Sequence, residues 1–130
     1  MTPLIDMTLE AGPAAASVAR KSLSAIADKV PSEKFEDVRL LVSELVTNSV
    51  RHSGLSSGDG VRVGFVVRMN QSCLRVEVAD AGKGFEKTVT PSMPDQQSGW
   101  GLQIVERLSD RWGVGREAEA GSTVWFEIDL

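Results

Sequence analysis

Two segments that alternate apolar and polar residues, VRVGFVVRM (61–69) and LRVEVAD (74–80), constrain the fold of this chain more than any other feature. Successive side chains of a strand point to opposite faces, so alternation indicates a sheet with one buried face and one open face. The polar residues Asn70, Gln71 and Ser72 between the segments predict an antiparallel hairpin. Other parts of the chain must therefore cover the buried face.

The rest of the chain is predicted to form helices that cover this face and further strands of the sheet. The predicted elements are an edge strand at 3–10, a helix at 14–29, a second helix that Ser32 caps and that contains 40–54, a third helix from 101 to Trp112 that Gly113 ends, and a final hairpin of 114–120 with 122–130. This order predicts an α+β fold, a two-layer sandwich in which helices cover one face of a mixed, mostly antiparallel sheet.

Length and charge limit the classes of function. A chain of 130 residues is expected to form a single domain, 1–130. Its 14 Lys and Arg residues against 18 Asp and Glu residues give a net charge of -4, which argues against nucleic-acid or anionic-membrane partners. Its one cysteine, Cys73, cannot form an internal disulfide, and no signal or spanning segment is visible. These features favour a cytoplasmic protein.

The second predicted helix carries Glu44, Asn48 and His52 at intervals of four residues. At 100° per residue they form a polar line beside the apolar stripe that includes Leu41 and Leu45. Such a line suits a cleft between helix and sheet, but the same spacing also occurs in ordinary i,i+4 contacts.

Two glycine-containing segments follow. In the first, ADAGKGF (79–85), a predicted strand ends in Asp80, whose carboxylate can accept a hydrogen bond from an amine. The second, SGWGL (98–102), precedes a predicted helix and can present backbone N–H groups to phosphate. Each could also be a plain turn or loop. Between them, the absence of periodicity at about 86–98 predicts a lid loop.

Taken in order, these residues resemble the nucleotide-binding motifs of the GHKL ATPase superfamily, which includes gyrase, chaperone, histidine kinase and mismatch-repair proteins. The motifs are Glu44-x-x-x-Asn48-x-x-x-His52, Asp80-x-Gly82-x-Gly84 and Gly99-x-Gly101-Leu102, with Thr123 in the last strand. The resemblance implies the Bergerat-type ATP-binding fold. The short chain, with its single histidine inside the first motif, is most similar to stand-alone anti-sigma factors that are also serine kinases.

The resemblance implies a role for each of these residues. Glu44 would be the catalytic base, and Asn48 would bind Mg²⁺. The ATP-binding residues would be Asn48, His52, Asp80, Gly82, Gly84, Gly99, Gly101, Leu102 and Thr123, with Asp80 and Thr123 at the adenine. The protein would bind a sigma factor, phosphorylate a serine of an anti-anti-sigma protein of the STAS type, and form a homodimer.

Two other functions fit the same residues. One is a regulator that senses ATP or ADP and binds protein partners without transferring phosphate, although the intact Glu44 argues against it. The other is the catalytic domain of a histidine kinase, which would need a phosphoacceptor histidine from another chain because His52 is the only histidine here.

Overall fold

The computed structural model describes residues 2–52, 62–80, 103–117 and 121–130. Five strands form one sheet in the order β1-β2-β3-β5-β4, and all four pairings are antiparallel. The strands are β1 (Thr2–Glu10), β2 (Arg62–Met69), β3 (Cys73–Asp80), β4 (Arg111–Glu117) and β5 (Gly121–Asp129). The predicted central hairpin is confirmed as β2 and β3, and β1 is at the sheet edge as expected.

Helices cover one face of this sheet. They are α1 (Ala15–Ser22), a 3-10 helix (Leu23–Lys29) and α2 (Ser32–His52), and residues 103–108 are also helical. The alternation of the strands explains the core, because every second residue of β2 from Val63 to Val67 is fully buried. Fully buried α2 residues such as Val42 and Val46 belong to the same core. The α+β arrangement with helices on one face is confirmed, and no helix in the described residues is long and apolar enough to cross a bilayer.

The boundary of the third predicted helix was wrong. Its helical segment ends at residue 108, and Trp112 and Gly113 lie in β4, where they pair with Phe126 and Trp125. The spacing of Leu108 and Trp112 suits a helix, but the backbone N–H of Asp110 donates to the carbonyl of Glu127 and so begins pairing with β5. Sheet pairing therefore outweighs the local helical pattern. The helix predicted at 14–29 is likewise divided, with a 3-10 turn replacing α-helix from Leu23 onward.

The open face of the sheet carries charged and aromatic side chains that contact one another. Glu127 accepts hydrogen bonds from Arg111 Nε at 2.7 Å and from Arg75 Nη1 at 2.8 Å. These hydrogen bonds, that from Arg111 above all, lower the pKa of Glu127. The Arg75 guanidinium lies 4.1 Å from the centre of the Trp125 ring, within the range of a cation–π contact. This network links β3, β4 and β5 on the face opposite the helices.

Gly113 is expected to be required for the packing of Trp125. A Cβ atom at position 113 would lie 2.8 Å from Trp125 Cζ2 and 2.9 Å from Cε2, so the indole would have to move away from Arg75. Gly113→Ala should therefore lower the free energy of unfolding by about 1–3 kcal/mol, measured by urea denaturation.

Gly115→Ala is the matched control for this variant. It lies on the same strand, and its added Cβ would approach nothing closer than the Thr123 carbonyl at 4.0 Å. Its stability should equal or exceed that of the wild type, because alanine restricts the unfolded chain. Equal losses from both substitutions would show that the Trp125 contact is not the cause.

Candidate functional site

Helix α2 places two of the predicted site residues on one flank, one helical turn apart. Glu44 is half-buried, and Asn48 is 9% exposed. A helix brings the Cβ atoms of residues four apart to about 5–6 Å, so a carboxylate and an amide lie side by side here. His52 is the last residue of α2, and so continues this line to the end of the helix. Glu44 and Asn48 are therefore at the border of the core, as the sequence predicted.

The flank that carries Asn48 contacts strand β5 through Lys34. Lys34, which shares this flank near the start of α2, donates from Nζ to the backbone carbonyl of Asp129 in β5. The other flank contacts α1, because Arg20 Nη1 donates to Ser43 Oγ at 3.0 Å. Glu44 and Asn48 therefore border the space between α2 and the strands, away from α1.

A shallow groove lies on the α1 flank instead. It is lined by Gly12, Pro13, Ala16, Thr47, Val50 and Arg51. Because it includes neither Glu44 nor Asn48, it is separate from the candidate site.

Asp80 lies at the end of β3 that is nearest the polar end of α2. The Lys34 contact anchors the start of α2 beside Asp129, which pairs with Cys73 at the start of β3. From Lys34 to residue 49 the helix rises about 22 Å. The strand advances about 23 Å from Cys73 to Asp80. Residues 48 and 49 of α2 and residue 80 of β3 therefore lie at the same end of the fold, remote from the Lys34 contact.

The sheet register places Ser122, not Thr123, directly opposite Asp80. Thr123 pairs with Ala79 and belongs to the alternating set of Trp125 and Glu127 on the open face. The role of Thr123 at the adenine stays a prediction.

Sequence reasoning missed Ser49. This residue follows Asn48, is only 1% exposed, and has a hydroxyl oxygen with no hydrogen-bond partner. A serine within an apolar helical stripe gives no distinct sequence signal, and only the packing shows that its hydroxyl is unpaired.

Several predicted site residues lie outside the described residues. They are Gly82, Gly84, Gly99, Gly101, Leu102 and the lid at 86–98. The structure thus describes the helix of the first motif and the strand that ends in Asp80, and the roles of all these residues stay predictions.

Comparison with known sequences agrees with the arrangement of α2 and β3. Residues 9–128 match the family described as histidine kinase-like ATPase domain. The chain is 36% identical over 99 residues to an anti-sigma F factor of Clostridium botulinum, covering 71% of this chain and 68% of that protein. It is 33% identical over 137 residues to the serine-protein kinase RsbW of Bacillus pumilus, covering 93% of this chain and 82% of that protein.

A solved structure shows the same likeness. The histidine kinase domain of the blue-light activated histidine kinase from Erythrobacter litoralis superposes with a TM-score of 0.57 at 27% sequence identity. The match covers 88% of this chain, which spans 60% of that domain's chain. Together with the family match over residues 9–128, these similarities show that the chain belongs to the histidine kinase-like ATPase domain family.

Proposed function

We propose that this protein is an ATP-dependent protein serine kinase that also acts as an anti-sigma factor. The observation that carries the proposal is the placement of Glu44 and Asn48 one turn apart on the α2 flank that borders the strands, toward the end of the fold where β3 ends in Asp80. Relatives named as anti-sigma F factor and serine-protein kinase RsbW support both halves of it.

The residues present fit a Mg²⁺-nucleotide. Asn48 offers a hard amide oxygen at a nearly buried position, and Mg²⁺ commonly takes only one or two protein ligands beside phosphate and water. Asp80 offers a carboxylate that can accept from the exocyclic amine of adenine, and Ser122 is its partner across the strands. We therefore propose that Asn48 holds the metal and that Asp80 and Ser122 face the base.

Glu44 would act on the attacking hydroxyl. When bound, Mg²⁺ would neutralise charge on the phosphates that react. Glu44, one turn before Asn48, would accept the proton of the substrate serine as its oxygen attacks the γ-phosphorus, and ADP would leave. Since phosphoryl transfer has a loose transition state, positioning by α2 should provide more of the rate than the base itself. His52, as the end of the polar line, is proposed to support the phosphates or the helix end.

The protein partners follow from the same relatives. We propose that the chain holds a sigma factor inactive and phosphorylates a serine of an anti-anti-sigma protein of the STAS type. Nucleotide would couple the two events, because a nucleotide that binds one conformation more tightly favours the partner that binds the same conformation, and that partner tightens nucleotide binding by the same factor. The expected homodimer and cytoplasmic location belong to this proposal.

A phosphotransfer assay tests the kinase activity directly. The purified chain is incubated with γ-labelled Mg²⁺-ATP and, one at a time, with the anti-anti-sigma proteins encoded in its own genome. We expect label to appear on one of them as phosphoserine, which is stable in acid. No transfer, despite tight ATP binding, would instead support a non-catalytic nucleotide sensor.

The structural likeness to a histidine kinase domain makes histidine phosphorylation the second candidate. In the same assay, a separate phosphoacceptor domain would then carry the label on histidine, where it is lost in acid. If all of the label is lost in acid, the result favours histidine phosphorylation over serine phosphorylation.

A further inference from the structure

Leu40 is an exposed leucine one helical turn before the proposed base, Glu44. It is 44% exposed and is one of four large apolar side chains that the described residues expose. The other three are Leu4 on β1, Val18 on α1 and Val114 on β4. Among the four, only Leu40 lies on α2, where residues four apart bring their Cβ atoms to about 5–6 Å. A single exposed leucine is ordinary in itself, so its nearness to Glu44 is what bears on function.

Around the helix, the base lies between this leucine and the proposed metal ligand. At 100° per residue, Leu40, Glu44 and Asn48 follow one another about 40° apart. Burial rises in the same order, because Leu40 is exposed, Glu44 is half-buried and Asn48 is only 9% exposed. The nucleotide would therefore reach Glu44 from the Asn48 side, whereas the exposed Leu40 side leaves room for a macromolecule.

Asp37 lies on the same flank, one turn before Leu40. It precedes Glu44 by seven residues, so the two carboxylates stand about 10 Å apart along the helix axis with Leu40 between them. Asp37 is half-buried and has no hydrogen bond or ion pair with any described residue. The neighbouring Glu36, by contrast, lies about 100° further round the helix and pairs with Arg39 at 3.5 Å. The Asp37 carboxylate is thus available to a cation from a partner.

A protein substrate has to approach Glu44 along this exposed side. A general base must lie within about 3 Å of the hydroxyl that it deprotonates, so the chain around the attacking serine must cover the neighbouring surface of α2. The opposite side of α2 is closed to the substrate, because Val42 and Val46 there are fully buried. Leu40 and Asp37 are therefore the side chains over which the substrate segment would pass.

We propose that Asp37 and Leu40 form a docking surface for the protein substrate and position its serine at Glu44. This inference rests on the proposed function and adds the surface that selects the substrate. The partner that fits is a segment with an apolar side chain for Leu40 and a lysine or arginine for Asp37, the basic residue being about 10 Å from the phosphorylated serine. An apolar contact with a charged rim is common in protein interfaces.

Leu40→Ala tests the apolar contact, with Leu4→Ala as the matched control. The probe is the anti-anti-sigma protein that accepts label in the phosphotransfer assay. We expect Leu40→Ala to raise KM for that protein about 5- to 10-fold, since part of a leucine side chain is no longer buried in the complex. The kcat, the Kd for Mg²⁺-ATP and the Tm should stay at wild-type values, because alanine favours a helix and Leu40 is not part of the core. Leu4→Ala, at a position that is 43% exposed on β1, should leave KM unchanged.

Asp37→Asn tests the charged contact, with Glu36→Gln as its control. It should raise KM about two- to fivefold at low ionic strength, as expected for a partly exposed ion pair, and the difference from the wild type should disappear at high salt. A residue with a purely structural role would lower the Tm without this salt dependence. Glu36→Gln should keep the wild-type KM at both salt concentrations, because its carboxylate faces another side of α2.

Several results would overturn the proposal. An unchanged KM in Leu40→Ala, or an equal rise in Leu4→Ala, would show that the protein substrate does not contact Leu40. A higher Kd for Mg²⁺-ATP would place the effect at the nucleotide instead. Weaker binding of a sigma factor with an unchanged KM would assign the docking surface to that partner, and an altered oligomeric state would assign it to a second copy of the chain. If the wild type labels no protein, the proposed function fails and this inference with it, whereas failure of the docking surface alone leaves wild-type transfer intact.

Discussion

Replacing Glu44 by glutamine is expected to slow phosphoryl transfer by about 10²- to 10⁴-fold and to leave the Kd for Mg²⁺-ATP within about twofold of the wild-type value. Glutamine keeps the size of the side chain but cannot accept a proton from the attacking serine. Binding should persist because Asn48, one turn further along α2, is unchanged, and so are the strand residues at the base. Single-turnover phosphorylation and calorimetry measure the two quantities separately.

Glu36→Gln is the matched control for this prediction. Glu36 lies on the same helix, but its side chain is 70% exposed and its ion pair with Arg39 is a surface contact. Such pairs contribute little to stability, so this variant should keep the wild-type transfer rate. A Glu44→Gln protein that transfers phosphate at the wild-type rate would show that another group, or none, acts as the base.

Replacing Asp80 by asparagine is expected to weaken Mg²⁺-ATP binding by about 10- to 100-fold and to reduce the preference for ATP over GTP. A hydrogen bond from the adenine amine to a carboxylate is charge-assisted and is stronger than one to a neutral amide. Asparagine also adds an N–H₂ donor that can bind the guanine carbonyl, which a carboxylate would repel. The ratio of the two dissociation constants therefore changes more than either constant alone.

Asp6→Asn controls for the loss of one negative charge. Asp6 is exposed on β1, at the sheet edge and two strands away from β3. Its substitution should change neither affinity nor selectivity. If Asp80→Asn weakens ATP and GTP equally, Asp80 does not read the base.

Most of the fold could be predicted from the alternation of its strands. Residues such as Val63, Phe65 and Val67 have only one way to be buried together, namely on one face of a strand, and their burial requires helices above them. The local pattern therefore determined both the hairpin of β2 and β3 and the layer that covers it.

The segment around Trp112 shows where local pattern fails. Leu108 and Trp112 have helical spacing, yet the chain leaves the helix after residue 108 and pairs with β5. Two contacts that are distant in sequence decide this: the backbone N–H of Asp129 donates to Asp110 Oδ2 at 2.7 Å, and the Trp125 indole packs over Gly113. Neither contact is visible in a window of neighbouring residues.

The features of the candidate site also fall into two groups, those that follow from a local pattern and those that depend on contacts between distant segments. The common flank of Glu44 and Asn48 could be predicted from sequence because a helix keeps residues four apart on one side. The opposition of Asp80 and Ser122 depends on strand register, and the unpaired hydroxyl of Ser49 depends on packing between α2 and the sheet. These two features arise only when distant segments meet, so the sequence pattern alone does not show them.

The most direct test of the account is a calorimetric titration of the wild-type protein with Mg²⁺-ATP and with Mg²⁺-GTP. We expect one ATP to bind per chain and GTP to bind at least about tenfold more weakly, because a carboxylate at the base would accept from the adenine amine and would repel the guanine carbonyl. No binding of either nucleotide, or equal binding of both, would contradict an adenine site formed by α2, β3 and β5.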